Sequence, residues 1–227
     1  LRDWAGVDPE TGLGGWYVVD QIDENGDGII DKEVRVDEDG DGEWDITRNS
    51  SAANKRIVGN ADPDLLGGLT NTFRYKGFDL SVLFNFKIGG DSYYDPSWAF
   101  WADGFDPQAP ISEYQYNNQW REPGDNAEFP RYVMYGGDVN THFNSSRRLN
   151  DASYIRLKNL SFGYTLPEKF TSKAGLNKVR LYMNAVNLWT WAAFDHYDPE
   201  VTARGVGFAN TDFPPLKTVT FGAELNF

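Results

Sequence analysis

The segment from Leu216 to Phe227, LKTVTFGAELNF in one-letter code, alternates in polarity almost residue by residue. One side carries Val219, Phe221, Ala223, Leu225 and Phe227, and the residues between them are polar or glycine. This period of two is typical of a β-strand whose two faces meet different media. A tilted strand needs about 9–11 residues to cross a bilayer, whereas an ordinary soluble strand has about 5–6. The segment is therefore long enough to span a membrane.

Four further stretches show the same alternation and are predicted as long strands. They are Leu69–Tyr75, Phe78–Ile88, Ala152–Leu166 and Val179–Trp191. The connections alternate between short ones, Lys76-Gly77 and Glu168–Asn177, and long ones, Gly89–Asp151 and Ala192–Pro215. Outer-membrane barrels of bacteria have short periplasmic turns and long extracellular loops. The pattern predicts an all-β, antiparallel transmembrane β-barrel. Because five strands leave open edges that lipid cannot hydrogen-bond, the chain must either oligomerise or complete a larger barrel.

The composition agrees with strands rather than membrane helices. No run approaches the roughly 18 apolar residues of a transmembrane helix, and the mean hydropathy is -0.56. The 23 Gly, 15 Phe, 12 Tyr and 8 Trp suit strands, tight turns and interfacial aromatic girdles. They also suit a secreted lectin-like β-sandwich. The absence of cysteine excludes disulfide scaffolds, thiol catalysis and cysteine-based zinc sites. No secretory signal follows Leu1, so we expect a mature chain or a fragment.

The acidity of the chain is concentrated near its start. The net charge is -13, and residues 1–50 contain 15 acidic and four basic residues. A local acidic segment argues against nucleic acid as a partner, since nucleic acid binding demands a basic face. The sequence therefore predicts an acidic extracellular loop region at residues 1–65 and barrel strands with their loops at residues 66–227.

The acidic region contains one pattern twice, fourteen residues apart, at Asp23–Asp31 and Asp37–Asp45. Each copy resembles the first part of an EF-hand calcium loop, with oxygen ligands at positions 1, 3, 5 and 9, a backbone carbonyl at position 7, and Gly at position 6. The candidate Ca²⁺ ligands are Asp23, Asn25, Asp27, Ile29 and Asp31 in the first copy, and Asp37, Asp39, Asp41, Glu43 and Asp45 in the second. Position 12, normally a bidentate Glu, is Val34 or Arg48. The alternative is a pair of solvated acidic turns.

Aromatic side chains crowd one predicted external loop and are candidate substrate contacts: Trp98, Trp101, Tyr114, Tyr116 and Trp120. Their faces can stack on sugar rings or pack on peptide side chains; the alternative is packing within the loop or against a partner protein. Trp189 and Trp191 fit an interfacial girdle. His142 and His196 are isolated, and no nucleophile elbow, phosphate-binding glycine loop or zinc-protease helix occurs. The chain is not expected to be an enzyme.

Several segments resemble, in the same order, the C-terminal region of the SusC/RagA family of TonB-dependent outer-membrane transporters of Bacteroidetes. They are Ile57–Asp64, Phe73–Val82, Leu149–Pro167, Val179–Leu188 and the terminal Phe227. The resemblance implies a 22-stranded barrel in the outer membrane, a plug that couples to TonB, and a SusD-type lipoprotein over the mouth. It also implies import of oligosaccharides or peptides, with the free edge of the last strand pairing with the first strand of the barrel. The alternative is a secreted, calcium-dependent β-sandwich lectin or adhesive module, which would be soluble without detergent.

Overall fold

The computed structural model describes residues 1–96, 100–101, 103–136, 144–201, 208–209 and 213–227. The chain divides into two compact units, residues 1–59 with 93–149 and residues 60–92 with 150–227. The division expected from sequence, 1–65 and 66–227, stays a prediction. Within the described residues no helix combines the length and apolar character needed to cross a membrane.

The first unit is built from short strands and loops. Its strands are β1 (Trp4–Val7), β2 (Gly14–Tyr17), β3 (Val19–Ile22), β4 (Lys32–Arg35) and β5 (Ile46–Thr47), and helix α1 is Glu113–Asn117. One sheet has the order β1-β2-β5, and β3 pairs with β4. Ser112 begins α1 because its side chain accepts a hydrogen bond from the Gln115 N–H. Trp16 and Phe129 are completely buried in the core of this unit.

The second unit is dominated by long strands. In chain order the remaining elements are β6 (Leu65–Tyr75), β7 (Phe78–Ile88), β8 (Asp91–Tyr94), β9 (Leu149–Asp151), β10 (Tyr154–Thr165), α2 (Glu168–Thr171), β11 (Lys178–Ala192), β12 (Phe208–Ala209) and β13 (Thr218–Asn226). Strands β8 and β9 each run across a border between the units. Single 3-10 turns occur at Ser146–Arg148, in the first unit, and at Ser172–Ala174, in the second. The main sheet is antiparallel, with the order β13-β11-β10-β7-β6.

All five predicted long strands are present in this sheet. The bounds of β7 are those predicted, whereas β6 begins at Leu65 rather than Leu69. Strand β13 covers Thr218–Asn226, which is shorter than the predicted segment. The turn between β6 and β7 is tight because Lys76 and Gly77 both have positive φ, 46° and 88°. Two consecutive residues of positive φ form the type of turn whose twist matches a two-residue hairpin.

The register aligns the apolar residues of all five strands on one face. From β6 to β13 this apolar face carries Leu69, Phe73 and Tyr75; Phe78, Leu80, Val82, Phe84 and Phe86; Ile155, Leu157, Leu160, Phe162 and Tyr164; Leu181, Met183, Ala185, Trp189 and Trp191; and Val219, Phe221, Ala223 and Leu225. Its side chains are open to the surroundings, with Phe73 60% and Phe221 76% exposed. An exposed apolar face across a whole sheet requires an apolar environment.

Polar residues occupy the opposite face, called here the polar face. In β7 and β10 it carries Asp79, Ser81, Asn85, Arg156 and Ser161. The alternation passes through one irregularity, where the register shifts between Leu157 and Asn159. On β11 the shift is absorbed at Asn187, whose φ is 53°. Asparagine tolerates positive φ better than most residues, so Asn187 suits this position. The extra residue of the irregularity keeps the apolar side chains on the same face on either side of it.

The strands have the dimensions of a membrane wall. The 11 residues of β7 extend about 34 Å at roughly 3.4 Å per residue. At a tilt of about 40° that length gives a height of about 26 Å, close to the ~25 Å apolar band of outer-membrane barrels. Aromatic side chains mark both ends. Phe78 stacks on Tyr164 with ring centroids 4.3 Å apart at the hairpin end, and Trp189 and Trp191, each 50% exposed, lie at the other.

Candidate functional site

The first acidic loop, Asp23–Asp31, connects β3 to β4 and is ordered by its own carboxylates. Asp23 accepts hydrogen bonds from the backbone N–H groups of Gly26 at 2.6 Å and Gly28 at 2.8 Å. These donors, Gly28 first, hold the pKa of the Asp23 carboxyl below its ordinary value. The side chain of Asp31 accepts from the Glu24 N–H at 2.8 Å. The loop closes where the Asp31 N–H donates to the Ile22 carbonyl at 2.9 Å.

The second acidic loop, Asp37–Asp45, repeats this arrangement bond for bond. Asp37 accepts from Gly40 at 2.8 Å and Gly42 at 3.1 Å, and the Asp45 side chain accepts from the Glu38 N–H at 3.0 Å. The loop again closes through its ninth residue, since the Asp45 N–H donates to the Val36 carbonyl at 2.8 Å. The sequence repeat is therefore a structural repeat.

The donor set of the second loop fits a hard cation. One carboxylate oxygen from each of Asp37, Asp39 and Asp41 lies within 4.8 Å of the others. Such oxygens, with a backbone carbonyl at position 7, are the ligands that Ca²⁺ prefers. The first loop has the neutral Asn25 where the second has Asp39. At position 12, Arg48 donates instead to Asp8 at 2.8 Å and Val34 lies in β4, so neither residue replaces the bidentate Glu.

Trp101 and Tyr114 lie in an aromatic cluster of the first unit. Trp101 is 4% exposed, and its ring contacts Tyr94 at 5.1 Å and Phe129 at 5.3 Å between centroids. The Tyr114 ring packs edge-on against Phe129 at 5.7 Å, and its hydroxyl donates to the Glu128 carboxylate. The contacts of both rings are therefore those of a loop that packs on itself. A role in substrate contact stays a prediction for them.

The other predicted aromatic contacts differ in their accessibility. Tyr116 is 55% exposed, and the Arg121 guanidinium lies over its ring at 4.7 Å. Trp120 is half-buried, and its indole N–H donates to the Pro9 carbonyl at 2.7 Å. Trp98 lies outside the described residues, as does His142. His196 packs edge-on against Phe194 at 4.8 Å. Among the predicted aromatic contacts that the structure describes, Tyr116 thus has the most exposed side chain.

On the polar face, near the hairpin end, an ion pair crosses a whole strand. Arg180 of β11 contacts Asp79 of β7 twice, Nε to Oδ1 at 3.1 Å and Nη2 to Oδ2 at 2.5 Å. Strand β10 lies between β7 and β11, and its residue under the pair is Gly163. A Cβ on Gly163 would collide with both charged groups. An added Cβ would therefore force this ion pair to shift.

At the opposite end of the same face lies a buried charged cluster. Arg156 of β10 is 1% exposed, and its guanidinium donates to Glu200 at 2.7 Å and to Asp198 at 2.6 Å. Its Nε donates to the Thr190 hydroxyl at 2.9 Å. Lys158 donates to Glu200 at 2.6 Å. Two cations and two carboxylates thus neutralise one another in a largely buried position.

Sequence reasoning did not identify this cluster as a site. Arg156 and Lys158 were visible as charged residues within an alternating strand, but their partners lie 42 or 44 residues away in an irregular segment. The available signal was a pair of charges near the start of an alternating strand, together with the two acids of Asp198-Pro199-Glu200. The buried pair between Arg147 and Asp103, at 2.6 Å, was missed for the same reason.

Comparisons with known proteins give a consistent result. No family model matches the chain. The TonB-dependent receptor P3 of Formosa agariphila is 33% identical over 212 residues, which cover 89% of this chain and 20% of that protein. The TonB-dependent receptor SusC of Bacteroides thetaiotaomicron is 26% identical over 217 residues, which cover 93% of this chain and 19% of SusC. The chain thus spans about one fifth of the length of these relatives.

Solved structures are similar over the entire chain. A structure of the RagAB peptide transporter matches with a TM-score of 0.74 and 25% identity, covering 100% of this chain and 22% of the matched one. The RagAB peptide importer in its open-open state matches with a TM-score of 0.71 and 25% identity, covering the same shares of the two chains. These proteins are named as receptors or transporters, in agreement with the prediction that the chain is not an enzyme.

Proposed function

Because this chain is a region of an outer-membrane TonB-dependent transporter of the SusC/RagA type, we propose that its parent protein imports oligosaccharides or peptides. The chain would supply five strands of the wall and part of the external loops. The observation that carries the proposal is the apolar face, which continues in register across all five strands. Opposite it, the polar face suits a lumen through which hydrophilic substrates pass.

The predicted family and the predicted barrel architecture are confirmed by the relatives and by the structural match. The alternative of a secreted β-sandwich requires a second sheet over the apolar face. That face is instead exposed, as the 55% exposure of Leu69 and the 76% exposure of Phe221 illustrate. Solubility without detergent distinguishes the transporter from the secreted sandwich. A chain that stays monomeric in buffer without detergent would contradict the transporter.

The partners of the proposed importer follow from its family. We propose a SusD-type lipoprotein at the external mouth, and TonB acting through a plug in a part of the transporter outside this sequence. The remaining strands would close the barrel in outer-membrane lipid, since the main sheet leaves the outer edges of β6 and β13 without a described strand partner.

Import is tested with the full-length transporter in its own cells. Deleting the gene should abolish uptake of a labelled substrate, and deleting the TonB gene should abolish it equally. Fluorescent oligosaccharides and fluorescent peptides of matched size distinguish the two substrate classes. Uptake that persists in the transporter deletion would contradict the proposed function. Uptake lost in the transporter deletion but kept without TonB would contradict its energy source.

We also propose that the second acidic loop binds Ca²⁺ as a structural ion. The proposal is supported by the convergence of Asp37, Asp39 and Asp41 and by the repeated loop geometry. Because Ca²⁺ affinity rises with the number of charged ligands, the first loop should bind more weakly. Calorimetric titration with Ca²⁺ should lose the tighter site in Asp41→Ala and keep it in Asp27→Ala. If the parent and a variant carrying both changes show the same Ca²⁺ titration, neither loop binds the ion and both are only acidic turns.

A further inference from the structure

Arg156 occupies a special position on the polar face of the sheet. In the register it pairs with Asn85 of β7 and Thr190 of β11, so the three side chains share this face. All three described bonds of its guanidinium group are made within the protein, one of them to Thr190. Each of its three nitrogens thus has a partner, and a buried arginine needs such pairing because an unpaired charge in this position is strongly destabilising.

The carboxylates that satisfy Arg156 come from the predicted external loop after β11. They belong to a short turn, Asp198–Val201, called here the latch segment. The turn is held internally by the Val201 N–H on the Asp198 carbonyl at 3.0 Å and by the Glu200 N–H on the Asp198 side chain at 3.0 Å. Val201 is only 9% exposed. The latch segment therefore lies on the polar face of the sheet.

We infer that Arg156 is a positioning residue that holds the latch segment over the polar face, where the segment narrows the passage open to a substrate. The inference rests on the proposed function, since only in a barrel does the polar face line a passage. Three hydrogen bonds between charged side chains, from Arg156 and Lys158 to Asp198 and Glu200, join the wall to the latch segment. Breaking them frees the latch segment from the wall.

A purely stabilising role is the competing explanation, and the chain offers a matched control for it. Arg180 lies on the same polar face and also makes two contacts with a carboxylate, that of Asp79. Its partner is a strand residue at the hairpin end, not a loop residue. Arg180→Gln therefore removes a more exposed ion pair of the same face without releasing the latch segment.

The test measures access to the polar face beneath the latch segment. Asn85→Cys in the full-length transporter provides the reporter, with intact cells labelled from outside. N-ethylmaleimide is the small probe, and a maleimide on a polyethylene glycol chain is the large one. The ratio of large-probe to small-probe labelling corrects for the amount of folded protein in each variant. Labelling of the parent without Asn85→Cys gives the background.

Arg156→Gln should raise this ratio by roughly a hundredfold, since it removes two charge-assisted hydrogen bonds to the latch segment and each such loss changes an equilibrium by about tenfold. Asp198→Asn should raise it in the same direction, because it breaks the contact from the loop side. Arg180→Gln should leave it unchanged. If Arg156→Gln does not reach the membrane, Asp198→Asn combined with Glu200→Gln gives the same comparison.

Two results would overturn the inference. The first is a labelling ratio equal to that of the parent in both Arg156→Gln and Asp198→Asn. The second is an equal rise in Arg180→Gln, which would reduce the effect to general loosening of the barrel. Labelling does not depend on import. A parent transporter that fails to import either test substrate therefore contradicts the proposed function, whereas the labelling ratio decides the role of Arg156.

Discussion

At the scale of single residues, this wall is organised by side chains that cross from strand to strand. The bond between Asp79 and Arg180 passes over β10 at Gly163, where an added Cβ would push the two side chains aside. A similar relation holds where the Tyr182 ring lies over Gly222 of the neighbouring β13. Glycine in a strand ordinarily weakens it, so these positions indicate close approach rather than flexibility.

Gly163→Ala is expected to destabilise the barrel by about 0.5–1 kcal/mol, because the added Cβ displaces the partly exposed ion pair between Asp79 and Arg180. The measurement is the free energy of unfolding of the full-length transporter in detergent, with Ser161→Ala on the same face of β10 as the control. In an Asp79→Ala background the cost of Gly163→Ala should shrink, because the collision involves the ion pair. An unchanged cost in that background would remove the ion pair from the explanation.

The first acidic loop should lose order in acid. The pKa of Asp23 is lowered by hydrogen bonds that its ionised form accepts from Gly28 and Gly26. A group whose pKa is lower in the folded state contributes stability above its unfolded pKa, and this contribution is lost as the pH falls through the folded pKa. Hydrogen exchange of a peptide covering residues 22–32 should therefore accelerate on acidification, after correction for the intrinsic rate. Asp23→Asn should exchange fast already at neutral pH, and an unchanged rate there would contradict the role of the carboxylate.

Sequence patterns indicated the roles of some side chains but not of others. The acids of the two loops were recognised because their spacing is local. No local pattern indicated the surroundings of Arg156 and Trp101, because their partners are distant along the chain or belong to irregular segments. Whether an aromatic ring is 4% or 55% exposed, as for Trp101 and Tyr116, depends on how the loop packs.

At the scale of elements, periodicity predicted strands well wherever the alternation was unbroken. The bounds of β7 are those expected, since every second residue from Phe78 to Ile88 is apolar. The predicted start of β6 was four residues too late, because Leu65-Leu66-Gly67-Gly68 does not alternate in polarity. In the structure, Gly67 receives the ring of Phe86 from β7, a contact that no local pattern of β6 contains. The irregularity at Asn187 was likewise invisible.

The hairpin between β6 and β7 carries a correctable strain. Lys76 has φ of 46°, a conformation that asparagine adopts more readily. Lys76→Asn also gives the Asn-Gly pair favoured in such turns, so it should stabilise the barrel by about 0.5–1 kcal/mol. Urea unfolding of the full-length transporter in detergent measures the change. Lys173→Asn, at a lysine without positive φ, controls for the lost charge, and equal stabilisation by both substitutions would contradict the argument from strain.

At the scale of the whole molecule, the two faces of the main sheet define its surroundings. An apolar face with aromatic residues at both ends faces lipid, and a polar face carrying ion pairs lines the lumen. The sequence predicted the separation into two faces, because alternate residues of a strand lie on opposite faces whatever its register with its neighbours. It could not predict how the external loops fold, since their contacts join segments far apart in the chain.

Phe221 lies near the middle of β13 on the apolar face, whereas the adjacent Thr220 lies on the polar face. Phe221→Arg should cost about 2–4 kcal/mol, the range for a cation at the bilayer midplane on a lipid-facing strand. Thr220→Arg should be tolerated. The yield of folded transporter in outer-membrane fractions, read from gel mobility with and without heating, measures both. Similar losses for both variants would contradict the assignment of the faces.

The two acidic loops are also self-contained in the path of the chain. In each loop the chain leaves beside the residue through which it entered, because Asp31 bonds to Ile22 and Asp45 bonds to Val36. A whole unit of this kind can be gained or lost without redirecting the chain on either side. The fourteen-residue repeat thus consists of two self-contained loops, and each is a natural place to insert an epitope or tag.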